Sequence, residues 1–167
     1  MKAILLIQIG NKDFQLVIDA QKCNIELLRD FCEDPKINKV MHNAKFDYSM
    51  IKCNFNIEIE AIIDTFILEK LLMQGMSGVL VIDTDELGHE TKIDYGVPRF
   101  KLADLCKKYC YYVMDKQDQK SFINLRTGIY TESQIRYAAI DVYFPITIAL
   151  IQLGHLRKKQ MESAAIL

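Results

Sequence analysis

The sequence predicts an α/β fold, a mixed sheet flanked by helices, on three observations. Short β-branched runs alternate with stretches of helical spacing through the first half of the chain. The chain then closes on a long, nearly continuous apolar helix. Finally, 167 residues that are 50% apolar and 26% charged, with a net charge of -1, suit one compact domain with a real core rather than two domains or a disordered tail. A single domain spanning 1–167 is therefore expected. The near-neutral total removes long-range steering by net charge but leaves room for a local basic face.

The elements follow in order. Residues 3–9 and 14–18 read as the arms of a β-hairpin about the turn Gly10-Asn11-Lys12-Asp13. Helical spacing covers 24–32, and Lys39-Val40-Met41 is a short buried strand that delivers the chain to His42-Asn43. A helix over 44–53 is predicted with Asn43 as its cap. Residues 58–63 read as a strand, and Asp64-Thr65 opens a helix through about residue 73. Residues 74–98, with four glycines and Pro98, read as a loop or hairpin excursion around the run 79–82. Helical spacing returns over 99–109, and the last helix runs from Glu132 past Leu150 behind a Thr131 cap.

Five cysteines without a CxxC pair indicate neither a disulfide framework nor a zinc knuckle, so reduced, cytoplasmic-type thiols are expected. Cys106 and Cys110 share a helix face and read as buried or semi-buried. The start lacks a signal-peptide cleavage site, and no apolar run is expected to reach the length of a membrane span.

The chemistry begins with Asp141. It stands near the first turns of a helix that is otherwise apolar from Tyr137 to Leu153. An ionised carboxylate buried there without a partner is unfavourable by several kcal/mol, so a cation, a metal ion or a donor network is expected to neutralise it. Tyr137 lies one turn earlier on the same face. Asn43 and Asp47 repeat the four-residue spacing, with Asp47 on a stripe shared with Met50, Ile51 and Asn54. Two helices thus each offer an inward acid, and hard oxygen ligands of this kind suit Mg²⁺ or Mn²⁺.

His42-Asn43-Ala44-Lys45-Phe46-Asp47 resembles the second motif of DnaQ-like, DEDD-type 3'-5' exonucleases, and Tyr137-Ala138-Ala139-Ile140-Asp141-Val142 resembles the third motif in its tyrosine form. Asp64-Thr65, Lys101-Leu102-Ala103-Asp104-Leu105, Asp115-Lys116 and Ser121-Phe122 are similar to further landmarks of the exonuclease domain of family A DNA polymerases. The tail 161–167 is similar to the link into the polymerase body. Nearly the whole chain is covered, and the ordered combination carries more weight than any one short motif.

The resemblance implies a ribonuclease H-like fold and a two-metal hydrolysis that removes nucleoside 5'-monophosphates from single-stranded DNA 3' ends. It implies that Asp141 and Asp47 serve the metals, that Tyr137 orients the attacking water, and that Asn43 supports the site. A polymerase domain in the same full-length protein is the implied partner. Ribonuclease D-like exonucleases give an RNA alternative, and a non-catalytic nucleic-acid-binding or scaffold module of the same fold gives the other.

The family's first motif, Asp-x-Glu on the central strand, should precede the strand at Lys2-Ala3-Ile4-Leu5. The chain is therefore expected to be a truncated domain, or one completed by a partner. Two flanking strands with unpaired edges are the expected consequence. Asp83-Thr84-Asp85-Glu86 superficially resembles the absent motif, but its place after the second motif argues for a charged hairpin tip.

Other roles compete. Asn43 and Asp64 each suit a helix cap, Tyr137 a core aromatic, and Arg136 an ion pair with Asp141. Pro145 removes the helical bond to the Asp141 carbonyl and is expected to kink the helix there. Lys101, Lys107, Lys108 and Arg136, with Arg99, Lys116, Lys120 and Arg126, make the stretch after Pro98 basic enough to follow a phosphate backbone, or simply to solvate a helix face. Tyr109, Tyr111 and Tyr112 are expected in the core rather than stacked on bases.

Overall fold

The chain was described with a computed structural model covering residues 4–73, 80–84, 90–94, 100–114 and 129–159. Arg99, Lys116, Lys120, Arg126, Asp85, Glu86, the Asp115-Lys116 and Ser121-Phe122 landmarks and the 161–167 tail lie outside those residues.

The predicted hairpin is present as β1 (Leu6–Gly10) and β2 (Gln15–Asp19), antiparallel with Ile7 opposite Ile18. Asn11 closes its turn by accepting from the Asp13 and Phe14 amides at 2.8 and 3.0 Å. Gly10 is required there, because a Cβ would stand 2.8 Å from the Phe14 carbonyl oxygen. The helical stretch that follows is split. Asn24 caps a 3-10 turn (Ile25–Leu28), and α1 (Arg29–Glu33) then ends at Asp34, held extended by Pro35.

β3 (Lys39–Met41) and β4 (Ile62–Asp64) pair in parallel, Met41 beside Asp64, and each runs directly into a helix: α2 (Lys45–Phe55) and α3 (Thr65–Leu72). The strand expected over 58–63 is thus shorter and later. Ala61, at φ 53°, interrupts the extended run, and the Glu60 amide is tied to the Cys32 carbonyl instead.

β5 (Leu80–Thr84) and β6 (Glu90–Asp94) form an antiparallel hairpin of their own. Asp83 is therefore on a hairpin arm opposite Thr91, not on a strand within the other sheets. α4 (Leu102–Cys110) and the 27-residue α5 (Glu132–Lys158) follow, the latter behind a full capping box between Thr131 and Gln134.

The strands form, among the described residues, three two-stranded sheets, β1–β2, β3–β4 and β5–β6. Among the described residues no ladder joins β1 to β3. α5 binds the molecule together, packing on β1, β2, β3, α3 and α4. One of its sides meets Leu68 and Leu72 of α3, and another meets Leu105 and Cys106 of α4. Ile25, Cys32, Ile51 and Ile57 form a separate core beneath the first hairpin.

One expectation fails on α5. By length and composition it is apolar enough to cross a membrane. Its inner stripe Ala138, Pro145, Ala149, Gln152 and Leu156 is buried against protein, so that stripe has a core role. Pro145 lies within this helix, which continues through it to Lys158.

Candidate active site

The two parallel strands β3 and β4 end side by side, and the helices they feed start there, so several backbone N–H groups without helical partners converge. Asp64 answers them. Its Oδ1 accepts from the Asn43 amide at 2.8 Å and from the Phe66 amide at 2.9 Å, and its Oδ2 accepts from the Ala44 amide at 2.9 Å. Asp64 thus caps α3, as expected, and also ties down the start of α2.

Asn43 does not cap α2. Ala44 holds the cap position with no side-chain hydrogen bond, and Asn43 takes a left-handed conformation at φ 57°. The donors that its side chain was expected to meet are met by Asp64. Beside this turn, His42 Nδ1 lies 2.9 Å from the Thr65 hydroxyl, which also donates to the Met41 carbonyl at 3.2 Å. Phe66 packs edge-on against His42 and Phe100, which fixes the turn from the α3 side.

Asp47 stands in the first turn of α2 with its side chain open to solvent, whereas Ile51, one turn on, is buried. It is not the inward acid expected from its stripe. Its carboxyl is nevertheless raised above the ordinary range, first by the surrounding protein, against its own backbone amide, and further by the nearby Asp64 carboxylate. Accessible surface with protein close by is what a carboxylate on the wall of a cleft experiences.

Asp141 falls on the inner stripe of α5, three residues after Ala138 and four before Pro145. Burial pushes its pKa up to about 6. No ion pair joins it to Arg136, whose side chain is exposed. Its neighbour across the helix interface is Cys106 of α4, a fully buried thiol pushed up to about 12 by burial first, then by Cys110 and Asp141. Tyr137, one turn before Asp141, packs against the cluster of Leu105, Cys106, Met114 and Ile148.

Asp47 therefore meets Asp64, and Asp141 meets α4. Among the described residues no three His, Cys, Asp or Glu side chains come close enough to hold a metal ion. The donors fit a hard divalent cation in kind, being carboxylates with raised pKa and, for Asp141, no counter-charge among the described residues; in number they supply part of a ligand set.

The basic candidates divide. Lys101, Lys107 and Arg136 are exposed. Lys108 is engaged: its ammonium lies 2.7 Å from Glu69, a carboxylate only 2% exposed. Glu69 also accepts from the Tyr109 hydroxyl at 2.6 Å and from Gln152 Nε2 at 2.9 Å, joining α3, α4 and α5. Burial opposes its ionisation, but these three donors outweigh burial and hold its pKa low. Glu69 escaped the sequence reading, although an acid inside the apolar helix Thr65–Leu72 is the same signal that singled out Asp141. Tyr109 is in the core as expected. Tyr111 is not: it is 92% exposed at the left-handed C-cap of α4, while Tyr112 stacks on Phe144 at 4.6 Å.

Small sheets of both pairing senses packed on helices, with acids at the strand ends and on α5, define an α/β nuclease-like domain of the ribonuclease H-like class. The family model for 3'-5' exonuclease matches residues 2–153, and the chain belongs to this DnaQ-like family. A search of curated proteins by sequence gives no match.

Similar solved structures include Escherichia coli RNase D, described as an exoribonuclease involved in structured RNA processing, with a TM-score of 0.73 at 21% identity. That match covers 96% of this chain and 37% of RNase D. The catalytic core of RRP6 from Trypanosoma brucei matches with a TM-score of 0.73 at 21% identity, over 94% of this chain and 37% of that one. Brucella melitensis NrnC matches with a TM-score of 0.68 at 20% identity, over 96% of this chain and 68% of that one, and is also known with pGG and with Mg²⁺ bound. The chain thus spans little more than a third of the length of RNase D.

Proposed function

We propose that this domain takes part in divalent-metal-dependent 3'-5' exonucleolysis, releasing nucleoside 5'-monophosphates from single-stranded 3' ends. One observation carries this reading: in a chain of the exonuclease family, Asp141 is half-buried on the inner stripe of an apolar helix, its pKa raised to about 6, with no cation to meet it among the described residues. A half-buried acid facing apolar protein without a counter-charge is what a cation site presents before it is filled.

In this reading Asp141 and Asp47 hold Mg²⁺ or Mn²⁺, completed by further oxygen ligands. The metal supplies charge stabilisation at the phosphate and an activated water. Tyr137 orients that water, and Asn43 supports the turn before Asp47. Lys101, Lys107 and Arg136 lie along the nucleic acid backbone, and Lys108 acts through Glu69. The reading covers the domain at 1–167, within a longer polymerase-type protein or beside a partner.

DNA is the substrate implied by the motif resemblance. RNA is the second reading, favoured by the fold shared with RNase D and RRP6. The test is release of mononucleotides from 3'-labelled single-stranded DNA and RNA with Mg²⁺ or Mn²⁺, beside Asp141→Ala. Metal-dependent release lost in Asp141→Ala supports catalysis, and the faster substrate selects between DNA and RNA. Binding of either strand without release supports the non-catalytic module instead.

A further inference from the structure

We propose that Asp64 is a positioning residue for the exonuclease reaction: its carboxylate, shared between the starts of two helices, sets the turn that presents Asp47. The inference rests on the exonuclease reading and deepens it by adding a residue that acts through another.

A helix cap needs one acceptor oxygen, yet Asp64 uses both. The Phe66 amide belongs to its own helix, α3; the Asn43 and Ala44 amides belong to a segment twenty residues earlier. α2 has no side-chain cap of its own, so Asp64 provides the cap from across the β3–β4 pair. The left-handed Asn43 suits this turn, since asparagine is one of the few non-glycine residues that adopt that conformation readily.

Ala44 is three residues before Asp47, and the Ala44 carbonyl accepts the Tyr48 amide at 2.8 Å, which locks the first helical turn. Any rotation of the Asn43-Ala44 turn therefore moves the Asp47 carboxylate with it. Asparagine at position 64 would keep one carbonyl oxygen to cap α3. Its amide nitrogen would replace Oδ2 and face the Ala44 N–H, a donor against a donor, so the tie to Ala44 would be lost while the Oδ1 bonds to Phe66 and Asn43 survive.

The experiment compares Asp64→Asn with the unsubstituted chain in three readouts: kcat and KM for 3'-end release, exchange rates of the Asn43 and Ala44 amides, and Mn²⁺-induced broadening of the Asp47 signals in nuclear magnetic resonance. The expected result is a kcat lower by about 10- to 100-fold at unchanged KM, the effect of misplacing a reacting group by a fraction of an ångström to an ångström. Exchange at Ala44 should quicken, while exchange at Asn43, protection across α3 and the melting temperature stay near their original values. Asp64→Ser, which caps α3 with a hydroxyl, should behave in the same way. Unchanged kcat in both variants overturns the proposal, as does a loss of activity matched by global unfolding.

If the unsubstituted chain releases no nucleotide, the reading under Proposed function fails as catalysis, and the Mn²⁺ readout decides for Asp64. Broadening at Asp47 that weakens in Asp64→Asn supports the positioning role. Broadening that is unchanged, or absent from both proteins, overturns it.

Discussion

Two acids that face the protein interior are met in opposite ways at the residue scale. Glu69 is met by Lys108, Tyr109 and Gln152, and its pKa falls; Asp141 is met by none of these, and its pKa rises to about 6. The signs follow. Asp141 titrates near 3.8 when unfolded and near 6 when folded, so it leaves stability untouched below 3.8, and its cost grows between 3.8 and 6 and is fully present above. In chelator, Asp141→Asn should raise stability at pH 7.5 by about 1–2 kcal/mol, solvent access trimming the full shift, and change it little at pH 4. Urea unfolding at the two pH values checks this, and an equal change at both would contradict it. Glu69 has the opposite sign: its contribution stands above the ordinary carboxylate range and is lost as acid protonates the folded form. Glu69→Gln should cost about 1–3 kcal/mol at neutral pH, measured in the same assay, with the difference shrinking in acid.

Most helices and strands are legible as elements because periodicity and caps are local. The Thr131-Gln134 box that starts α5 is readable directly, and Thr131→Ala should lower unfolding free energy by about 1 kcal/mol, visible as a lower melting temperature in circular dichroism. The elements that shift do so for backbone reasons. The strand expected from Glu58 begins only at Ile62, because Ala61 adopts φ 53°. A left-handed alanine pays a steric cost that glycine avoids, so Ala61→Gly should stabilise by about 0.5–1 kcal/mol. A loss of stability would mean that the Ala61 methyl packs more favourably than its strain costs. Asn43 shows the same limit: a polar residue before a helix reads as a cap, but the side chain that caps α2 comes from Asp64 on the neighbouring strand.

At the scale of the whole molecule, α5 is the common support, touching the first hairpin, β3, α3 and α4, and the acid it carries lies inside that support. Filling the proposed site should therefore be felt globally. Adding Mg²⁺ or Mn²⁺ should raise the melting temperature of the chain with concentration, chelator should reverse the rise, and Asp141→Ala should abolish it, since a ligand bound only by the folded state stabilises by mass action. A metal-dependent rise that persists in Asp141→Ala would place the ion elsewhere.

The sequence by itself determined the α/β class, the exonuclease family, the paired strand-to-helix turns and the unusual acid on the last helix. These rest on local spacing and on ordered short motifs, which need no knowledge of the packed chain. Only the tertiary structure decided that Asp47 faces solvent, that Asp64 joins α2 to α3, that Lys108 is held by Glu69, and that one stripe of the apolar α5 packs into the core. Each depends on which groups from distant segments lie within hydrogen-bonding reach after packing. A side chain's spacing along its own helix fixes its face, but the partner waiting at that face is supplied by another part of the chain.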